Sequence, residues 1–126
     1  MRLLLDTHAL LWALSAPSKL SVRAAAALRD PDNEVFVSAV SAWEIAIKAA
    51  LGKLSGDVDE IVRTSLEVGF EELAVTLAHA RRVHSLPPRH RDPFDRMLVA
   101  QALEDGLTIV THDAMVVAYG APSLWA

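Results

Sequence analysis

The chain opens on a short apolar run, Arg2-Leu3-Leu4-Leu5, stopped by a carboxylate at Asp6. A run of this length bounded by polar residues reads as a parallel strand covered on both faces. Leu10, Leu11, Trp12, Ala13 and Leu14 follow and are apolar all round, which predicts a helix with two neighbours rather than one. Pro17 interrupts that pattern, and Ser21 is placed to cap an Ala-rich helix ending near Arg29. Past a turn at Pro31-Asp32-Asn33, the β-branched and aromatic run Glu34-Val35-Phe36-Val37-Ser38 predicts a second strand. A helix from Val40 to Leu51 comes next, with Trp43, Ile47 and Leu51 at helical spacing and Gly52 as its C-cap. Asp57 or Asp59 caps another helix that ends before Gly69. Leu73-Ala74-Val75 reads as a third strand, and Thr76 caps a helix to Ser85.

Two prolines make Leu86-Pro87-Pro88-Arg89-His90-Arg91 a loop, because they remove donors and restrict their neighbours. Asp92-Pro93-Phe94-Asp95 carries helix-start chemistry: a capping Asp, Pro at the first helical position and an acid in the first turn. This helix runs to Asp105 and stops at Gly106. Leu107 to Thr111 is a fourth strand, His112-Asp113 leads into a short helix, and Ser123-Leu124-Trp125 can add an edge strand. Strands alternating with helices predict an α/β fold, a three-layer sandwich with a parallel sheet of four to five strands between helices. The 126 residues show no repeat or linker and suit one domain, 1–126.

Composition narrows the chemistry. Cysteine is absent, which excludes disulfides, thiolate metal sites and a cysteine nucleophile, and fits a reducing compartment. An acid as early as Asp6 excludes a signal-peptide core or membrane span there, so the expectation is a cytoplasmic protein with no membrane contact. The net charge of -4 argues against nucleic-acid binding through the overall field. Any basic surface is local. The stretch His79 to Arg96 is the candidate, with Arg81, Arg82, Arg89, Arg91 and Arg96 outnumbering Asp92 and Asp95; a solvated helix face and loop fits equally well. A hydrophobic content of 52% is high enough that some apolar surface can face a partner.

Four acids share a location. In open parallel sheets the ligand crevice lies beyond the carboxyl ends of the strands. Asp6 ends the first strand, Asp113 lies just past the fourth, Glu44 sits in the first turns of the helix after the second, and Asp95 begins its own helix. Carboxylates gathered where water is scarce either bind protons or hold cations. An oxygen-only set suits Mg²⁺ or Mn²⁺ rather than zinc. Two such ions about 3.5–4 Å apart can activate water and stabilise a leaving oxygen in phosphodiester hydrolysis. Each acid also has a structural alternative: Asp95 as capping-box partner of Asp92, Asp113 as cap of the short helix, Glu44 as a solvated helix residue, and Asp6 as a cap if a helix starts at once. Asp92 itself reads as a cap. His8, His90 and His112 lie near the same crevice and are assigned solvent-exposed or supporting positions. No Gly-x-Ser-x-Gly turn, P-loop or Gly-x-Gly-x-x-Gly turn is present, which disfavours serine hydrolases and nucleotide-cofactor enzymes.

Leu4-Leu5-Asp6-Thr7-His8-Ala9-Leu10-Leu11-Trp12, Ser38-Ala39-Val40-Ser41-Ala42-Trp43-Glu44-Ile45, His90-Arg91-Asp92-Pro93-Phe94-Asp95-Arg96 and Val110-Thr111-His112-Asp113 occur in the order found in PIN domains. The chain resembles most the VapC-type toxins of bacterial toxin-antitoxin systems, over essentially its whole length. The resemblance implies a PIN-like α/β/α sandwich and a Mg²⁺-dependent endoribonuclease in which Mn²⁺ can substitute. It implies that Asp6, Glu44, Asp95 and Asp113 form the catalytic, metal-holding quartet, with Thr7, Ser41 and Thr111 as supporting hydroxyls. Asp92 matches a subgroup motif outside the quartet. It further implies an RNA substrate, a homodimer, a cognate VapB-type antitoxin and promoter DNA contacted only through that antitoxin. Two other readings stand beside it: a catalytically silent PIN-like binding module, and a Mg²⁺-dependent phosphohydrolase of small phosphate esters.

Overall fold

Leu3, Leu4 and Leu5 are fully buried, and their side chains alternate between two apolar clusters on opposite faces of one strand. A computed structural model describes all 126 residues and makes this strand, β1 (Arg2–Leu5), the centre of a five-stranded, all-parallel sheet. The chain continues through α1 (Thr7–Ser15), a 3-10 turn at Pro17–Lys19, α2 (Val22–Arg29), β2 (Glu34–Ser38), α3 (Ala39–Ala50) and α4 (Val58–Glu67). It then forms β3 (Glu71–Leu73), α5 (Leu77–His84), α6 (Pro93–Asp105), β4 (Thr108–Thr111), α7 (Ala114–Val117) and β5 (Ser123–Trp125).

Leu3 and Leu5 pack with Ala9, Leu10, Ala24 and Ile45 on one face. Leu4 packs with Phe36, Val40, Leu98, Val99 and Ile109 on the other, which gives the three layers expected. As its all-round apolar sequence predicts, α1 has neighbours on several sides, touching α3, α4, β1 and β4. None of the helices is long and apolar enough to cross a membrane.

The strand order is β3-β2-β1-β4-β5. The chain moves outward from β1 to β3, then returns beside β1 and moves outward the other way, so the order reverses between β1 and β4. In parallel sheets that reversal opens a crevice at the carboxyl ends of the two strands. Asp6 closes β1 there, its backbone N–H still donating to the Val110 carbonyl of β4 at 3.0 Å.

One reading of the pattern needs correction and another needs completing. The third strand lies at Glu71–Leu73, two residues before the apolar run Leu73-Ala74-Val75, with Val37 opposite Glu72 and Ser38 opposite Leu73. It is an edge strand, and its exposed Glu71 and Glu72 obscure the apolar signal while charging the open edge. In α3, the Trp43 and Leu51 positions that announced the helix face solvent, 61% and 64% exposed, while Val40, Ser41, Glu44 and Ile45 face inward. Helical spacing locates the helix and leaves its inner face open.

A buried polar chain ties the helices that carry the site. Ser38 Oγ donates to Gln101 Oε1 of α6 at 2.6 Å, and the Gln101 side chain lies 3.4 Å from His79 Nδ1 on α5. His79 accepts the Thr76 N–H at 3.0 Å and reaches Asp105 at 2.9 Å. Such a network fixes the seating of α6 because each buried polar group left unpartnered is costly.

Because Leu4 is fully buried on the central strand, Leu4→Ala is expected to lower unfolding free energy by about 2–5 kcal/mol. Urea denaturation followed by circular dichroism measures this.

Candidate active site

Asp6 must end a strand and start a helix at the same residue. Its extended backbone leads straight into α1, and its Oδ1 accepts the Ala9 N–H at 2.8 Å, so it is the helix cap. One carboxylate oxygen is thereby oriented by the fold. Burial pushes the Asp6 pKa above its ordinary value; the Thr111 hydroxyl, the Ala9 N–H and His8 work against that shift, and the Asp113 charge adds to it.

Asp113 is built the same way. Its Oδ1 caps α7 by accepting the Met115 N–H at 2.8 Å, while Oδ2 lies 3.1 Å from His90 Nε2. The Thr111 hydroxyl accepts the Asp113 N–H at 3.1 Å, and the same side chain counteracts the rise of the Asp6 pKa.

At α6 the cap belongs to Asp92, whose Oδ1 accepts the N–H groups of Phe94 at 2.8 Å and Asp95 at 3.3 Å. The capping-box alternative for Asp95 does not hold, since the Asp92 N–H donates to His90 Nδ1 at 3.2 Å instead. Asp95 is left with its Oδ2 3.0 Å from His90 Nε2. Because Nδ1 accepts a backbone N–H, the neutral ring carries its proton on Nε2, aimed between Asp95 and Asp113. His90, Asp95 and Asp113 offer ligand atoms within 4.8 Å of one another. The loop carrying His90 is pinned: its N–H donates to the Tyr119 hydroxyl at 2.9 Å, and Arg96 donates to the Pro87 carbonyl at 2.9 Å and to Tyr119 at 3.0 Å.

Burial, with the charges of Asp92 and Asp6 adding to it, raises the Asp95 pKa to about 7; His90 opposes the shift and Glu44 adds a little more. A neutral-range carboxyl at a sheet edge marks a site with more acid than it can keep ionised unaided.

Glu44 is placed differently. It is buried rather than solvated, accepts the Thr7 hydroxyl at 2.6 Å and pairs with Lys48 one turn along α3. Ser41 Oγ lies 3.1 Å from the same Thr7 hydroxyl. The hydrogen bond to Glu44 raises the Lys48 pKa, with the charges of Glu44, Asp92 and Asp95 adding to it against desolvation. The structure thus brings Asp95 and Asp113 together around His90, sets Asp6 within electrostatic reach of both, and holds Glu44 at the flank.

His90 stands against Asp95 and Asp113 in a supporting position, and sequence reasoning missed Lys48. Lys48 had a readable signal, its i,i+4 spacing from Glu44. His8 and His112 are exposed, as expected. The basic stretch does not form one surface: His79 is buried, Arg96 is spent on backbone carbonyls and Arg82 lies 3.6 Å from Glu104, leaving Arg81, Arg89 and Arg91 in solvent.

The donor set, carboxylate oxygens with one imidazole and no sulfur, fits a hard or borderline divalent cation. Residues 3–121 match the PIN domain family. The chain belongs to the PIN-domain family. A curated relative of this PIN domain is Ribonuclease VapC22 of Mycobacterium tuberculosis, 33% identical over 120 residues, covering 87% of this chain and 85% of the relative. Among solved structures, VapBC2 from Rickettsia felis, bound to a DNA fragment from its promoter, superposes with a TM-score of 0.77 at 13% identity over 100% of both chains. VapBC-1 from nontypeable Haemophilus influenzae gives 0.66 at 17% identity, over 98% of this PIN domain and 97% of that chain. These structural likenesses are to the fold.

The raised Asp95 pKa makes a signed prediction for the metal-free PIN domain. Folding holds a proton on Asp95 between its ordinary value of 3.8 and about 7, so this carboxyl's contribution is fully present below 3.8 and is lost as pH rises through 7. In EDTA, Asp95→Asn is expected to melt higher than the parent at pH 8, with the gain shrinking as pH falls toward 5. Thermal melts across that range check it.

Proposed function

We propose that this PIN domain is a VapC-type toxin, an endoribonuclease that hydrolyses RNA phosphodiester bonds with a divalent cation, Mg²⁺ or in its place Mn²⁺. The observation carrying the reading is the convergence of Asp95 and Asp113 on one point at the crevice between β1 and β4, with Asp6 beside them. The relative's name, Ribonuclease VapC22, supports the reaction class. The VapBC complexes that share the fold support a VapB-type antitoxin as partner, with promoter DNA reached through it. A homodimer and action in the cytoplasm belong to the same reading.

Asp6, Asp95 and Asp113 hold the cation, and Glu44 completes the quartet's charge from its flanking position. A bound divalent ion supplies Lewis acidity, lowering the pKa of an attacking water and neutralising charge on the phosphate. The protein's own groups prepare that place. The caps of α1 and α7 orient one oxygen each of Asp6 and Asp113. Thr111 holds the Asp113 backbone and favours the ionised form of Asp6, while Thr7, with Ser41 against it, orients Glu44. His90 keeps Asp95 and Asp113 turned toward each other, and Lys48 offsets the charge of Glu44.

Asp6→Asn and Asp95→Asn are each expected to cut cation-dependent RNA cleavage on the order of 10²–10³-fold, the several kcal/mol of charge stabilisation at stake, with the fold retained. Cleavage of labelled RNA in Mg²⁺, with an EDTA blank and circular dichroism of each variant, is the measurement. Parent-like cleavage by both variants would contradict the assignment, and a phosphomonoester panel hydrolysed in preference to RNA would move the substrate class.

A further inference from the structure

A row of aromatic rings runs away from the acids along the carboxyl edge of the sheet, and nothing in the site described above uses it. His8 and Trp12 sit one helical turn apart on α1, their rings 6.3 Å from centroid to centroid. Trp12 meets His112 edge-on at 5.2 Å, and His112 lies 4.6 Å from Trp125 at the end of β5. His8, Trp12 and His112 line a cleft of about 310 Å³ whose other walls are Asp6, Asp113 and Ala114.

We propose that this cleft seats one nucleobase of single-stranded RNA, stacked against Trp12 and His112, next to the phosphodiester to be cut. The inference deepens the ribonuclease reading and rests on it. Four observations carry it. The two acids and the rings share one cleft, so a base held by the rings places its own sugar-phosphate linkage at Asp6 and Asp113. Three of the four rings are wet, His8 and His112 being exposed and Trp125 46% exposed, while Trp12 is half-buried with its remaining surface open to the cleft. A chain of net charge -4 does not draw RNA through its overall field, so contacts beyond the cation at the acids are needed to hold the strand. Stacking supplies them, because every base has a π-face. An unpaired strand is required, since bases inside an A-form helix do not present that face.

A second apolar groove, of about 630 Å³ and bordered by Trp43, Val75, Met97 and Arg91, contains none of the acids and is the competing location.

The test measures binding of a fluorescein-labelled single-stranded RNA by anisotropy, with Ca²⁺ as the cation, alongside the same oligomer made abasic throughout. The parent should prefer the base-bearing strand by about 5- to 150-fold, the range one stacked base commands. Trp12→Ala should remove most of that preference, Trp12→Phe should restore it, and Mn²⁺ affinity should stay at the parent value in both. Trp12 also packs partly against the core, so exposed His112→Ala is the second probe and should lower the preference without lowering the melting temperature. Equal binding of abasic RNA by the parent, or an unchanged preference in folded Trp12→Ala and His112→Ala, overturns the subsite while cleavage by the parent keeps the ribonuclease reading. Loss on Trp43→Ala alone overturns it in favour of the other groove. A parent that neither binds nor cleaves RNA overturns both.

Discussion

Burial of carboxylates at the carboxyl end of β1 and β4 is the constraint on which the rest of the site depends. Asp6 is 5% exposed because β1 is the middle strand and α1 starts on it directly. Asp95 answers that crowding by titrating near 7. The caps explain how the acids tolerate the position. A carboxylate that accepts a backbone N–H at a helix start is stabilised there by hydrogen bond and helix dipole. Asp6 and Asp113 each commit one oxygen in that way. A cap does not use these residues up: it orients the carboxylate through one oxygen and leaves the other outside the helix start.

The surroundings hold this arrangement rigid from three sides. Arg96 donates to the Val83 carbonyl of α5 and the Pro87 carbonyl of the proline loop and so fixes the backbone from which His90 reaches Asp95 and Asp113. Ser38, Gln101, His79 and Asp105 lock α6 to the sheet and to α5 by buried polar contacts. Thr7 and Lys48 occupy Glu44, so the fourth acid sits near the others without adding its full charge to theirs. His90 and Lys48 are the two positive or proton-bearing groups that make a four-acid site compatible with a folded chain.

Much of this was legible in the sequence where burial is two-sided or a cap is local. β1, β2 and β4 announce themselves because both faces are covered, and the caps at Ser21, Asp57, Thr76 and Asp92 sit where hydroxyl or carboxylate chemistry placed them. β3 was displaced by two residues because an edge strand needs little apolar sequence. The Trp43 and Leu51 stripe pointed outward because helical period gives a spacing and not a direction, and the true inner face of α3 contains Ser41 and Glu44. Asp6 could be read from its place at the strand end. The contacts of His90 with Asp95 and Asp113 could not, because a proline-bounded loop has no periodicity and its seating depends on Tyr119, distant in sequence and itself held by Arg96.

If the crevice is a cation site, the proton on Asp95 is a placeholder for the metal, and binding must expel it. Calorimetric titration of Mn²⁺ in buffers of different ionisation enthalpy counts that proton directly. With Asp95 near 7, about one proton should be released per ion at pH 6 and close to none at pH 8.5. Absence of Mn²⁺ binding at both values, or the same proton count at both, would contradict the account.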